Sequence, residues 1–216
     1  MDNVAALIDH TLLDPQASLK QMEKHCWEAV RYRFHSVCVH PSYVRVAYKI
    51  LRNTPVEITS VVGFPLGAND IASKVFECLR VVEGGAREVD FVVHLGAVKS
   101  RNWRYVEREI KEITRLRGPV YKAIIECPML THQEKIHLCR IVKNSGAHFV
   151  KTSTGFGVAG GATVQDVRLI RKSVGNSFGV KAAGGIRDAK VALAMLKAGA
   201  NRLGTSSSVK ILSQLR

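Results

Sequence analysis

Eight short runs rich in valine, isoleucine and phenylalanine recur along this chain at a spacing of about thirty residues, each followed by a stretch with helical periodicity. The runs cover residues 6–12, 36–39, 58–63, 88–94, 121–126, 148–153, 179–183 and 202–205, and each closes on a glycine, serine, threonine or proline signal. Between them, residues 18–33, 72–84, 103–116, 133–145, 164–173 and 188–198 repeat apolar side chains at three and four, the spacing of a helix with one buried face. Ser18, Thr131 and Thr163 fit N-caps, and Gly84, Gly146 and Gly199 fit stops. Strand, helix, strand, repeated eight times, predicts an α/β chain folded as a (β/α)8 TIM barrel, eight parallel strands with surrounding helices. A doubly wound open sheet would want a G-x-G-x-x-G turn after the first strand, where this chain has Leu12, Leu13, Asp14 and Pro15.

At 216 residues and 46% hydrophobic, the chain can bury one sizeable core, and a single catalytic domain over residues 1–216 is expected. It has no apolar run of about 18 residues, and Met1, Asp2 and Asn3 lack the basic start of a secretory signal. The expectation is a cytoplasmic protein with no membrane partner. Cys26, Cys38, Cys78, Cys127 and Cys139 are scattered and read as reduced packing thiols. The eight histidines show no metal-ligand spacing, so no metal is expected. Lysine and arginine outnumber the acids 32 to 18, a net charge of +14 that raises the question of nucleic acid. The basic residues are dispersed over helices that would face water, with no continuous tract. A solvated basic exterior that also attracts anionic substrates is the plainer reading.

In a parallel barrel, strands normally read as apolar runs, so a charge inside one is informative. Asp9, Asp90, Lys122, Lys151 and Lys181 all lie within strand runs. If Val150 and Thr152 meet the helices, Lys151 and Ser153 look inward, and the same parity turns Lys181 inward on the next strand. Two ammonium groups held close in a poorly hydrated interior disfavour each other's charge, and burial acts the same way. One of them is then partly neutral near pH 7, which is the state that attacks a carbonyl to form a Schiff base. Asp90 shares its parity with Val92 and His94 and is placed either to relay protons or to pair with the lysines. At the ends of the last two strands, Gly184, Gly185, Ile186 and Arg187, and Gly204 followed by Thr205 to Ser208, resemble backbone cradles for a phosphate. Gly155, Gly160 and Gly161 would close that pocket from another side.

These segments are similar, nearly end to end, to the deoxyribose-phosphate aldolase family. The similarity is carried by Leu7 to Leu13, Ser36 to Val39, Val62 to Gly67, Glu88 to Asp90, Lys122 to Glu126, Phe149 to Phe156, Val180 to Arg187 and Gly204 to Ser207. The resemblance implies reversible cleavage of 2-deoxy-D-ribose 5-phosphate to D-glyceraldehyde 3-phosphate and acetaldehyde, with no metal or other cofactor, in a homo-oligomer. It further implies that Lys151 forms the imine, that Lys181 lowers the pKa of Lys151 and assists proton transfer, and that Asp90 passes protons through water. Asp9, Lys122 and Glu126 would complete the polar network, and Gly155, Gly184, Gly185, Ser206 and Ser207 would hold the phosphate. Three departures stand out. The loop 157–161 is one residue longer than is common, serines occupy 206–208 where many members have glycine, and Leu215 and Arg216 stand where some members carry a terminal tyrosine. In this chain another group or water would do that tyrosine's work. Two other readings fit the same pattern in part: a different phosphate-binding barrel enzyme, such as a sugar-phosphate isomerase, and a basic nucleic-acid-binding barrel.

Overall fold

The period-two alternation along the eight runs becomes a sheet closed on itself, with every strand parallel to its neighbours. The strands are β1 (Ile8–Leu12), β2 (Ser36–Val39), β3 (Glu57–Val62), β4 (Glu88–Val92), β5 (Val120–Ile124), β6 (Phe149–Lys151), β7 (Gly179–Ala183) and β8 (Arg202–Thr205), and β8 pairs back onto β1. The computed structural model describes residues 2–157 and 160–215. Val158 and Ala159 of the extended loop, and Arg216 at the chain end, lie outside the described residues.

Helices fill the connections: α1 (Asp2–Ala5), α2 (Leu19–Tyr32), α3 (Val44–Leu51), α4 (Ile71–Glu83), α5 (Leu95–Lys99), α6 (Trp103–Thr114), α7 (His132–Asn144), α8 (Val164–Val174), α9 (Ala189–Lys197) and α10 (Ser208–Ser213). The three expected caps are made. Ser18 accepts from Gln21 N and Thr131 from Glu134 N, each closing a capping box, and Thr163 accepts from Asp166 N. Four strand runs end earlier than their apolar pattern, that of β3 by one residue and those of β4, β5 and β6 by two. β4 stops at Val92 because His94 turns to cap α5, accepting from Ala97 N, and so leaves the inward row of Asp90. β5 stops at Ile124 because Glu126 adopts a left-handed backbone conformation at the start of a tight turn.

Outward strand residues, among them Val37, Val89, Phe91, Val150, Val180 and Leu203, are fully buried against the helices. Each such side chain is worth about 1.5–3 kcal/mol in transfer from water. Inside the barrel, the register does the opposite work and aligns charge. Lys151 pairs in register with Lys181, Lys181 with Arg202, and Asp90 with Lys122. A second buried ion pair lies outside the barrel wall, where Lys74 of α4 donates to Glu109 of α6 at 2.6 Å with neither side chain exposed. The same ammonium donates to the Gly67 and Val92 carbonyls, and Glu109 accepts from His94 N, so this pair ties the turns after β3 and β4 to the helices. All five cysteines are buried and unpaired. Among the described residues no helix is long and apolar enough to cross a membrane.

Candidate active site

Four inward cations, Lys122, Lys151, Lys181 and Arg202, meet three inward carboxylates, Asp9, Glu88 and Asp90, all buried in the barrel. Lys122 donates to Glu88 at 2.6 Å and to Asp90 Oδ1 at 2.9 Å. Lys181 donates to Asp9 Oδ2 and, at 2.7 Å, to Asp90 Oδ2. Lys151 donates to that same Asp90 oxygen at 2.8 Å and to no other carboxylate among the described residues. Arg202 spans Asp9 at 2.8 Å and Glu88 at 3.1 Å. Ser36 and Thr59 complete the layer by donating to Asp9 and Glu88.

Burial would push every carboxyl here upward, and the neighbouring cations reverse that. Lys122, Lys151 and Lys181 hold Asp90 well below the usual carboxylate range. Asp9 is held down against burial by Lys181 and Lys122, and Glu88 chiefly by Lys122. On Lys181, burial disfavours the ammonium, but the attraction of Asp9 and then Asp90 outweighs it and raises the group above the ordinary lysine range. Lys181 is therefore a fixed cation. Strand parity sets Asp90 beside the two lysines; the structure adds Asp9 as a second acid on Lys181, so one member of the pair is anchored by two carboxylates.

Above this layer opens a cavity of about 470 Å³ at the C-terminal ends of the strands. Lys151 reaches its wall, whereas Lys181 and Asp90 lie beneath and do not line it. Gly155, Gly184, Gly185 and Ser206 line it together with Arg187. Gly184 has φ of 87°, and a Cβ there would sit 3.0 Å from the Gly161 Cα and 3.1 Å from the Gly155 Cα, so only glycine lets the loops after β6 and β7 meet. Ala162 N donates to the Gly184 carbonyl, and Thr205 Oγ1 donates to the Ile186 carbonyl, which joins the three loops. Among the described residues the N–H groups of Gly185 and Ser206 donate to no protein acceptor, which is the arrangement an anion needs. On the other side, Phe64 lies 6.0 Å from Lys151 Nζ and packs edge-on against Phe156, giving the amine an apolar flank.

Two sequence expectations need correction. Glu126 does not join the lysine network: its carboxylate accepts from Thr154 N at 3.1 Å and from Thr154 Oγ1, which pins the loop after β6. Ser207 does not line the cavity, because its N–H donates to Thr205 Oγ1 at 2.9 Å. Conversely, the sequence reading overlooks Glu88 and Arg202 as members of the centre and Arg187 as a cation at the loop corner. Glu88 shares the parity of Asp90, and Arg202 opens β8 in register with Lys181, so both carried a readable signal.

Two residue groups bring three metal-ligand atoms within 4.8 Å of one another: Asp9 with His35 and Glu88, and His10 with His25 and Glu28. The first is occupied by lysine and arginine. In the second, the two imidazoles stack with centroids 3.8 Å apart and planes 20° from parallel, so their in-plane lone pairs do not converge on a point.

The fold and its charged mouth define a (β/α)8-barrel enzyme with a lysine at the floor of a cavity whose wall offers free backbone N–H groups and an arginine. Residues 3–213 match the model of the DeoC/LacD family aldolases, and the chain belongs to that family. It is 50% identical over 216 residues to the deoxyribose-phosphate aldolase of Thermoanaerobacter sp. strain X514, covering 98% of this chain and 96% of that one. It is 51% identical over 214 residues to the Thermococcus kodakarensis protein of the same name, covering 97% and 95%. The solved structure described as the unique tetrameric deoxyribose phosphate aldolase of Aeropyrum pernix superposes with a TM-score of 0.93 at 34% identity, over 99% of this chain and 91% of that one.

Proposed function

We propose that this chain is a class I aldolase that reversibly cleaves 2-deoxy-D-ribose 5-phosphate to D-glyceraldehyde 3-phosphate and acetaldehyde through a Schiff base on Lys151. The observation that carries the reading is the position of Lys151: the one lysine of the centre that reaches the cavity is also the one with a single carboxylate contact. Lys151 shares its one carboxylate oxygen with Lys181, so it is the least tied of the three lysines, and a lysine amine free to reach the carbonyl is the nucleophile this chemistry needs. Its amine adds to the C1 aldehyde, the carbinolamine expels water, and a protonated imine forms. That imine draws electrons as the C2–C3 bond breaks and the C3 hydroxyl loses its proton, so glyceraldehyde 3-phosphate leaves and an enamine of acetaldehyde remains. Protonation at C2 and hydrolysis release acetaldehyde and restore the amine. Asp90, Lys181 and Lys122 act from below through Lys151 and water, holding protons and fixing charge. The phosphate rests on the N–H groups of Gly185 and Ser206 beside Gly155, Gly184 and Arg187. The chemistry needs no metal. We place the enzyme in the cytoplasm as a homo-oligomer, a reading supported by its unpaired buried thiols and by the tetrameric relative.

An aldol cleavage assay on purified Lys151→Arg tests this. Turnover falls on the order of 10³-fold or more while the thermal transition is kept; a variant as active as the parent removes Lys151 from the reaction.

A further inference from the structure

The net charge of +14 is not spent at the catalytic mouth. At the opposite end of the barrel, by the N-terminal end of β4, a second cavity of about 520 Å³ lies between α3 and the turn after α4. Arg45 and Lys49 face it from α3, Arg52 from the C-cap of that helix, and Arg87 from the residue before β4. Arg45 and Lys49 on α3 and Arg52 at its C-cap are spaced i, i+4 and i+7, a single helical face on which like charges repel. Among the described residues none of these four side chains makes an ion pair or a hydrogen bond, although all are exposed. The one acid on the wall, Glu83, is taken by Arg80 at 2.7 Å.

The helix ends do not balance this charge. The C-termini of α3 and α4 both open here, and at about half a negative charge each they offset roughly one of four cations. An aromatic surface completes the site. A Cβ at Gly85 would collide with the Tyr48 ring, so the bare glycine backbone seats that ring; Tyr48 is 44% exposed and lines the cavity. The volume falls within the range of small-ligand pockets, about 300–1,000 Å³, and the wall is concave, unlike the continuous track that a nucleic-acid strand requires.

We propose that this cavity is a binding site for a phosphate-chain anion, a di- or triphosphate, separate from the catalytic mouth. Arg45, Lys49, Arg52 and Arg87 hold the phosphates, and Tyr48 offers a stacking face if the chain carries a base. Inorganic polyphosphate and a nucleoside polyphosphate share this chemistry.

Isothermal titration at low salt separates them, using tripolyphosphate, a nucleoside triphosphate and a duplex oligonucleotide against the parent, Arg45→Ala/Arg52→Ala and Tyr48→Leu. The expected result is saturable tripolyphosphate binding to the parent, weakened about tenfold or more in the double variant, with aldol cleavage and thermal transition retained. Tighter binding of the nucleoside triphosphate that is lost in Tyr48→Leu assigns the site to nucleotides, and equal affinity assigns it to the inorganic chain. Either outcome upholds the site. No saturable binding, or binding that the double variant keeps in full, overturns it, the latter by placing the anion at the catalytic mouth. A duplex that outcompetes both small anions through the same residues overturns it in favour of nucleic acid.

Discussion

Lys151 and Lys181 donate to one and the same oxygen, Oδ2 of Asp90, at 2.8 and 2.7 Å, so their ammonium nitrogens lie no farther apart than those two distances together. Asp90→Asn removes the shared negative charge and leaves Lys122, Lys151 and Lys181 facing one another in a buried layer. Breaking a buried ion pair from one side costs about 3–5 kcal/mol. For a chain of this size the melting temperature falls by roughly 6–20 °C. Scanning calorimetry measures it, and a variant that melts with the parent contradicts the arrangement. Because Asp90, Asp9 and Glu88 are all held low, this stabilisation is present above the ordinary carboxylate range and is lost as pH falls through the lowered values.

The pair Lys74 and Glu109 predicts a non-additive result. Lys74→Met or Glu109→Leu alone leaves a buried charge unpartnered and costs about 3–5 kcal/mol, whereas Lys74→Met with Glu109→Leu costs less than the two single changes together. Burial already drives both groups toward neutrality, lowering Lys74 and raising Glu109. Urea unfolding of the three variants decides the matter, and strict additivity would contradict a direct pairing.

Much of this was legible in the chain and some was not. Strand parity turns Asp9, Asp90, Lys122, Lys151 and Lys181 into the barrel because a closed parallel sheet leaves only two directions for a side chain. Glu88 and Arg202 obey the same parity, and they are missed only because each stands at the first residue of its strand, where a charge also fits solvent. Glu126 could not be placed this way. Its backbone leaves the strand, and alternation says nothing about a residue beyond the ladder. Lys74 and Glu109 sit in helices, where a polar residue is ordinarily assigned to water. Only the packing of α4 against α6 brings them together. Helix α3 is hidden by its eight-residue length and by the proline-led turn before it.

His10 and His25 are buried neutral, burial lowering the first to about 4 and the second to about 3. The unfolded chain takes up these protons near 6.5 and the folded one does not, so stability is fully present above pH 6.5 and is lost as pH falls toward 4. The slope reaches about 1.4 kcal/mol per pH unit for each histidine. Melting temperatures across that window show the decline in the parent and a shallower one in His25→Asn; equal slopes would mean that the ring titrates freely.

At the loop corner, Gly184→Ala drives a methyl group against Gly155 and Gly161, and Arg187→Ala removes an exposed cation from the cavity wall. Both raise KM for deoxyribose 5-phosphate by about tenfold to a hundredfold, the scale of one charge-assisted contact, and leave the slower cleavage of unphosphorylated 2-deoxyribose little changed. Parallel losses on both substrates would show that these residues do not read the phosphate.

The most direct measurement is reductive trapping. Incubation with acetaldehyde and borohydride, followed by peptide mass mapping, is expected to place a single N-ethyl group on Lys151 and none on Lys122 or Lys181, whose amines are held by Asp9, Glu88 and Asp90. Label on Lys181 or Lys122, or on no lysine of the barrel, would contradict the assignment of the cavity amine as nucleophile.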